Sequence, residues 1–526
     1  MASTDIKSPC GIDNNERAGS TTDTPTTAAD GLYPTIAPKR KQFGMFAIVS
    51  LAFVICNSWA GVSGSIQLAL LAGGPVTLIY SLLISGVVYL CIALSMAELA
   101  SVYPTAGGQY HFTSILAPDS IRRSISYACG LVSLMSWIAL GSSVTMIPAQ
   151  QIPALVSTYN PGFAPHSWQI FLIYEAVALS VLIFNLFALK RNPWVHEVGF
   201  CLSIALFLIS FIGILSRSRP KATSSFVWTT WINSTGWPDG ICFILGLSTS
   251  CFMFIGLDAA LHLAEECQDA ARTVPKAVTS AIIIGFCTAF PYTISVLYGI
   301  TDIQSVLTST GYTPLKILKQ CLHSADFATA ITSGGIVMAF FVLNAIQETT
   351  SRLAWSFARD GGLIFSDSLE QIHPRLQVPV WSLLLTWGLL AVCGCIFMAS
   401  STGKSLPFNA LVNSAIVLQQ LSFLIPLALL LYRGRSAKFL PPSRAFALPR
   451  GFGMAVNVLA VLCTGVTTFF FNFPVLLPAT GSNMNYTSAI LGIGGILGVV
   501  NWILYARKHY RGPQIELESL AVRVGL

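Results

Sequence analysis

The sequence predicts an all-α integral membrane protein with twelve transmembrane helices, on three observations. Hydrophobic residues make up 54% of the chain and charged residues only 10%, with a mean hydropathy of +0.68; soluble domains carry about 25% charged residues. Apolar runs long enough to cross a hydrocarbon core, which takes about 20 residues per helix, recur twelve times. The first and the sixth of these runs are interrupted by small and polar residues. Interrupted helices at corresponding places in two halves point to a transporter site built on an inverted repeat.

Residues 1–42 are rich in Ser, Thr, Asp and Pro, lack apolar periodicity and are expected to form a disordered tail that ends in Lys39-Arg40-Lys41. The spans fall at about 44–71, 75–99, 124–147, 168–189, 194–215, 240–263, 277–300, 328–346, 378–399, 408–432, 452–473 and 488–505. Residues 43–510 therefore form the transporter domain, with halves at about 43–216 and 239–433 and two added helices at about 451–506. Residues 507–526 form a second tail.

With the N-terminus in the cytoplasm, 23 of the 29 Lys and Arg lie in inner segments, as the positive-inside rule requires. Both termini are then cytoplasmic, and the net charge of +7 is explained without nucleic acid. The sequons at Asn233 and Asn485 land on the outer side and are glycosylation candidates. The 13 cysteines are scattered, mostly inside apolar runs; a disulfide framework or zinc site needs clustered thiols outside lipid. No metal or cofactor is expected. Gly492–Gly498 matches a dinucleotide fingerprint on paper but follows no strand, and small-residue helix packing accounts for it. No nucleophile–base set and no phosphate loop is found, so an enzyme or an ATP-driven pump is not expected.

The chemistry concentrates at the two interruptions. In the sixth span, Phe254-Ile255-Gly256-Leu257-Asp258 puts a glycine and a carboxylate inside an apolar run. Glycine costs a helix interior about 1 kcal/mol relative to alanine, and an acidic side chain at the bilayer centre about 2.5–3.5 kcal/mol. A deliberate break around a water-accessible site explains both. In the first span, Asn57-Ser58-Trp59-Ala60-Gly61 does the same. A half-helix N-terminus there leaves amides without partners and a partial positive charge. Ser58, Ala60 and Gly61 can then hold an anionic substrate group through backbone and hydroxyl, or can simply allow close helix packing.

Asp258 has three readings: a partner for a substrate ammonium, a carrier of a coupling proton, or an N-cap for the second half of its span. His262 lies four residues on and Glu265–Glu266 one turn further, so a stripe of Asp258, His262 and Glu265 runs inward as a candidate proton route. The alternative is a satisfied interhelical histidine with two solvated carboxylates. Trp59 and Phe254 sit at the breaks, where they either box an amine by cation–π contact or pack. Ile255 and Gly256 complete the candidate substrate site.

Several motifs carry a family resemblance. Phe254–Asp258 with Glu265-Glu266 and Arg272-Thr-Val-Pro275 resembles the sixth-span signature of amino acid–polyamine–organocation transporters. Gly73-Gly-Pro75, Ala97-Glu-Leu-Ala100, Tyr103-Pro-Thr-Ala-Gly-Gly108, Ser351-Arg352-Leu and Ala358-Arg-Asp-Gly361 resemble other parts of the same family, and His262–Glu266 is most similar to the fungal amino acid/choline permeases. The resemblance implies a LeuT-type fold, five plus five inverted helices with the first and sixth broken, and substrate between the breaks. Some relatives carry a fifth-span lysine in the place of a sodium ion, and 194–215 contains none.

The expected function is secondary transport of a small amino acid or amine, such as GABA or choline, coupled to protons or else to sodium. Choline or polyamine carriage and a transporter-like nutrient sensor are the alternatives. Its partners are that substrate, the proton and the lipid bilayer, with the plasma membrane as the default location and the vacuole or another internal membrane open.

Overall fold

The computed structural model describes residues 43–189, 194–309, 311–400, 406–481 and 484–513. The expected N-terminal tail and residues 514–526 lie outside the described residues. In chain order the helices are α1 (Met45–Cys56), α2 (Ser58–Leu71), α3 (Gly74–Val102), α4 (Gln109–Leu116), α5 (Arg122–Tyr159), α6 (Ser167–Phe187) and α7 (Val195–Arg217). They continue with α8 (Ser224–Thr229), α9 (Asp239–Phe252), α10 (Ala259–His262), α11 (Ala270–Gly299), α12 (Ile303–Leu307), α13 (Thr313–Leu322) and α14 (Ala325–Arg359). The remainder are α15 (Ser366–Leu369), α16 (Val380–Ser400), α17 (Leu406–Tyr432), α18 (Arg450–Phe470), α19 (Thr487–Asn501) and α20 (Arg507–His509), the last two joined by a π-helical turn, Trp502–Ala506.

Among the described residues, eleven helices are long and apolar enough to cross a membrane. The twelfth crossing is the sixth span, split between α9 and α10, so its apolar half falls short on its own. Large apolar side chains such as Leu172, Ile212, Ile396, Leu462 and Ile496 lie exposed on the flanks of the bundle. In water such a surface would be an association site; around a membrane bundle it faces acyl chains. At the centre, α5 packs along both α17 and α14, around the two broken spans.

The first break is narrower than the sequence suggests. It is one residue, Asn57, in the left-handed conformation (φ 32°, ψ 51°), and Ser58–Gly64 are already helical. Asparagine tolerates that conformation better than most residues. Its N–H closes α1 by donating to the Phe53 carbonyl at 2.7 Å, while its own carbonyl accepts from the Ala60 and Gly61 amides at 3.0 Å. One residue thus stops one helix and starts the next. The sixth span is broken more widely: residues 253–258 are turns between α9 and α10, with Gly256 at φ +85°. A Cβ there would lie 2.5 Å from Ile55 Cγ2, so both the conformation and the space demand glycine.

Helices α5 and α14 run furthest beyond their expected limits. Helix α5 continues past Ile147 to Tyr159 through Pro148 and Pro153, and α14 continues past Ile346 to Arg359. The stretch Gln347–Arg352 reads as a span end by hydropathy, yet all six side chains are buried against neighbouring helices. Residues 507–513 are not a loose tail either. Tyr510 is buried, its hydroxyl lies 2.7 Å from Ser126 Oγ, and Arg123 Nη2 donates to its carbonyl at 2.7 Å.

Candidate functional site

A cavity of about 110 Å³ opens beside the two breaks. Its floor is Ile55, Cys56 and Ile255, and its walls are α2, α5, α11 and α14. Tyr312 and Pro314, at the start of α13, line the other end. No charged side chain is among the lining residues. Aromatic surface takes that place: Trp59 meets Tyr292 edge-on with ring centroids 5.3 Å apart, and Tyr312 lies beyond. Trp59 is fixed by its Nε1, which donates to Ser203 Oγ at 2.9 Å, and Ser203 in turn donates to Asn57 Oδ1 at 2.8 Å. The fifth span, α7, therefore holds the first break through a serine.

Of the residues singled out in the sequence, Trp59, Ala60, Gly61 and Ile255 line the cavity. Ser58 does not; it is buried against α11, where a Cβ at Gly285 would strike its hydroxyl. Phe254 is not among the lining residues either; its ring packs 5.7 Å from that of Tyr89 on α3. Gly256 serves by leaving room for Ile55 and Leu140. Asn57, Gln151, Tyr292 and Tyr312 were missed. Only Asn57 carried a local signal, as a residue tolerant of left-handed backbone at the start of the interruption.

Asp258 lies under the cavity floor and is fully buried. Ile55 and Leu140 line the cavity on one side and crowd Gly256 on the other. The carboxylate does not cap α10. Its Oδ2 accepts from Gln109 Nε2, from Trp137 Nε1 at 3.1 Å and from His262 Nε2 at 3.1 Å, and its Oδ1 accepts from Gln419 Nε2 at 3.0 Å. Gln419 is oriented by the Gly256 N–H, which donates to its Oε1 at 3.0 Å.

His262 is also fully buried. Its Nδ1 lies 3.0 Å from the Ala106 carbonyl oxygen, an acceptor only, so Nδ1 carries hydrogen. Its Nε2 faces Asp258 Oδ2, again an acceptor when ionised. A hydrogen bond at both nitrogens requires one proton more than a neutral imidazole and a carboxylate supply. With that proton the pair has no net charge.

Beyond His262 the bundle is sealed at the end where Phe43 and Tyr510 lie. Glu265 makes a two-pronged ion pair with Arg359 (3.0 and 3.1 Å) and accepts from the Ala106 N–H at 3.2 Å. Glu266 pairs with Arg352 at 3.2 Å, Arg352 with Glu348 at 3.1 Å, and Glu348 with His196 at 2.8 Å. Phe43 N–H donates to the Glu266 carbonyl, and the Gln268 N–H to that of Phe43. The expected stripe of Asp258, His262 and Glu265 exists, and its last member, Glu265, ties the α10 segment to α14 through Arg359.

The sequons differ from each other. Asn233 is exposed, whereas Asn485 is buried and its amide donates to the carbonyls of Phe471 (2.6 Å) and Phe473 (3.1 Å). Glu175, in α6, has an Oε1 with no partner among the described residues and lies away from the cavity, against Gly394 of α16.

Residues 46–496 match a family described as Amino acid permease. A choline transporter of Saccharomyces cerevisiae is 32% identical over 474 residues, covering 90% of this chain and 82% of its own. A putative amino acid/polyamine transporter of Macrophomina phaseolina is 31% identical over 444 residues (84% and 97%). An amino-acid permease of Arabidopsis thaliana is 28% identical over 494 residues (90% and 93%). Among solved structures, a manganese transporter of Eremococcus coleocola matches with a TM-score of 0.55 over 87% of this chain and 94% of its own, at 13% identity. That likeness bears on the fold: twelve helices of the LeuT type, with the first and sixth broken.

Proposed function

The chain belongs to the amino acid permease family, and from that premise we propose that it moves a small amino acid or amine across a membrane by alternating access, coupled to protons. The observation that carries this reading is the uncharged cavity at two helix breaks, with the buried His262–Asp258 hydrogen bond beside the sixth-span break. The end bearing Phe43 and Tyr510 faces the cytoplasm in this reading, as the distribution of Lys and Arg supports, and the plasma membrane is the default location.

Cargo enters from the end near α13 and rests between Asn57, Trp59 and Tyr292. A carboxylate on it would turn toward the N-terminus of α2, where helix amides and the helix dipole favour negative charge. Opening the cytoplasmic seal requires the Glu265–Arg359 and Glu266–Arg352 pairs to part. Movement of α10 away from α4 and α5 then removes Gln109 and Trp137 from Asp258, lets water reach His262 and releases the proton. The emptied carrier then returns deprotonated, with Asp258 held by Gln109, Trp137 and Gln419, and takes its next proton from the outer side, so each cycle carries one proton inward with the cargo. A proton crossing about 100 mV contributes about 2.3 kcal/mol, enough for more than tenfold accumulation.

A cavity lined by no carboxylate disfavours a polyamine, whose several charges would be desolvated without partners. It suits a zwitterion of no net charge, and the wall of Trp59, Tyr292 and Tyr312 also suits a quaternary ammonium. The latter is the second reading, favoured by the choline-transporting relative. Competition against labelled uptake separates them. Inhibition by GABA and neutral amino acids, with choline inert, is expected for the first reading, and the reverse for the second. No uptake of any of them would remove both.

A further inference from the structure

The cavity has one polar contact at each end that the protein leaves unmade. At the break, Asn57 gives its Oδ1 to Ser203, and its Nδ2 has no acceptor among the described residues. At the other end, Gln151 of α5 lines the cavity and is 8% exposed. Its Nε2 donates to Tyr312 Oη at 3.0 Å, while its Oε1 is buried and has no partner among the described residues. A buried acceptor without a donor costs about 1–3 kcal/mol. Without cargo the site carries that cost in a wall that is otherwise aromatic and aliphatic.

We infer that Gln151 is a specificity-determining residue whose Oε1 accepts a hydrogen bond from the substrate. The substrate class is a small amine or zwitterion carrying an O–H or N–H donor at the end remote from Asn57, an amino alcohol or an ω-amino acid. Tyr312 is its positioning partner: by accepting from Nε2, the Tyr312 hydroxyl holds the amide with its oxygen left over. The position on α5 fits that task. Gln151 lies between Pro148 and Pro153, about two turns beyond Val144 and just over three beyond Leu140, so one helix face spans from the cavity floor to its far end. A site built to pair a substrate donor rejects the analogue lacking it far more strongly than a methylene difference would allow. The donor requirement therefore selects substrate, while the aromatic wall tolerates the alkyl part.

The inference rests on the carrier reading above, and two substrate pairs test it separately from that reading. Labelled uptake by the full-length protein is competed with choline and O-methylcholine, and with GABA and its N,N,N-trimethyl derivative. The wild type is expected to prefer the donor-bearing member of the transported pair by at least tenfold. Gln151→Met is expected to weaken the donor-bearing member about tenfold and leave the capped one unchanged. Tyr312→Phe should give a smaller loss of discrimination, and it carries the test if Gln151→Met fails to reach the membrane. Full discrimination retained in the variant that reaches the membrane overturns the subsite, as does a wild type that does not discriminate. If none of the four compounds competes or enters, the carrier reading falls, and the subsite falls with it.

Discussion

Replacing Asp258 with asparagine is expected to abolish accumulation against a gradient while leaving slow exchange. The proposed coupling needs a site that takes and gives a proton, and an amide does neither. The accumulation ratio should fall from more than about tenfold to unity, the factor that a proton crossing about 100 mV can support. Exchange should slow as well, because the carboxylate accepts from Gln109, Trp137, His262 and Gln419 together. Asparagine has one acceptor atom and turns an N–H₂ toward the remaining donors, so at least one buried group loses its partner, at about 1–3 kcal/mol. Uptake and counterflow in the same vesicles, at acid and neutral pH, separate the two effects. Accumulation by Asp258→Asn at the wild-type level, with strict dependence on sodium, would rule out proton coupling through this pair.

Gly256→Ala should cost the fold about 3 kcal/mol or more and nearly eliminate uptake. A left-handed backbone costs a residue bearing a Cβ about 1–2 kcal/mol. The added methyl carbon would also sit 2.5 Å from Ile55 Cγ2, where the floor of the cavity meets the sixth-span break. Relief comes only by moving α1 or widening the turn, and either change displaces Asp258 from Gln419, which is anchored on the Gly256 N–H. The thermal midpoint of the solubilised protein should drop by several degrees. Ile55→Leu in the same chain should restore part of it, because leucine carries no γ2 methyl on its Cβ. A Gly256→Ala protein with wild-type uptake and melting would show that the two breaks do not meet as described.

How far the sequence revealed these features depended on whether the signal was local. Each span is a local run of apolar residues, so all twelve were legible. The sixth-span break was legible too, because glycine and aspartate both carry a cost inside an apolar helix. In the first span the interruption could be seen but its width could not: small residues from Ser58 to Gly64 are compatible with helix, and only Asn57 leaves it. The direction of Phe254 was likewise hidden, since helical periodicity lapses across residues 253–258. Hydropathy ended α14 too soon because it treats Gln347–Arg352 as solvated, when helix neighbours bury them. The partners of Asp258 were invisible for a different reason. Gln109 and Gln419 are separated from it by 149 and 161 residues, and neither polar side chain stands out in its own segment. The second partner of His262 was hidden likewise, since it is the Ala106 backbone carbonyl, which no side-chain pattern records.

The most direct measurement of whether cargo rests between the two breaks is substrate protection of a thiol placed there. Ala60 lines the cavity within the first turn of α2. Ala60→Cys in purified protein reconstituted in lipid nanodiscs should react with a small polar maleimide faster than the parent chain does. Saturating transported substrate should slow that reaction about tenfold, and an analogue that is not carried should leave it unchanged. A thiol at residue 60 that stays unreactive, or reacts at the same rate whether or not the carried substrate is bound, would contradict the account.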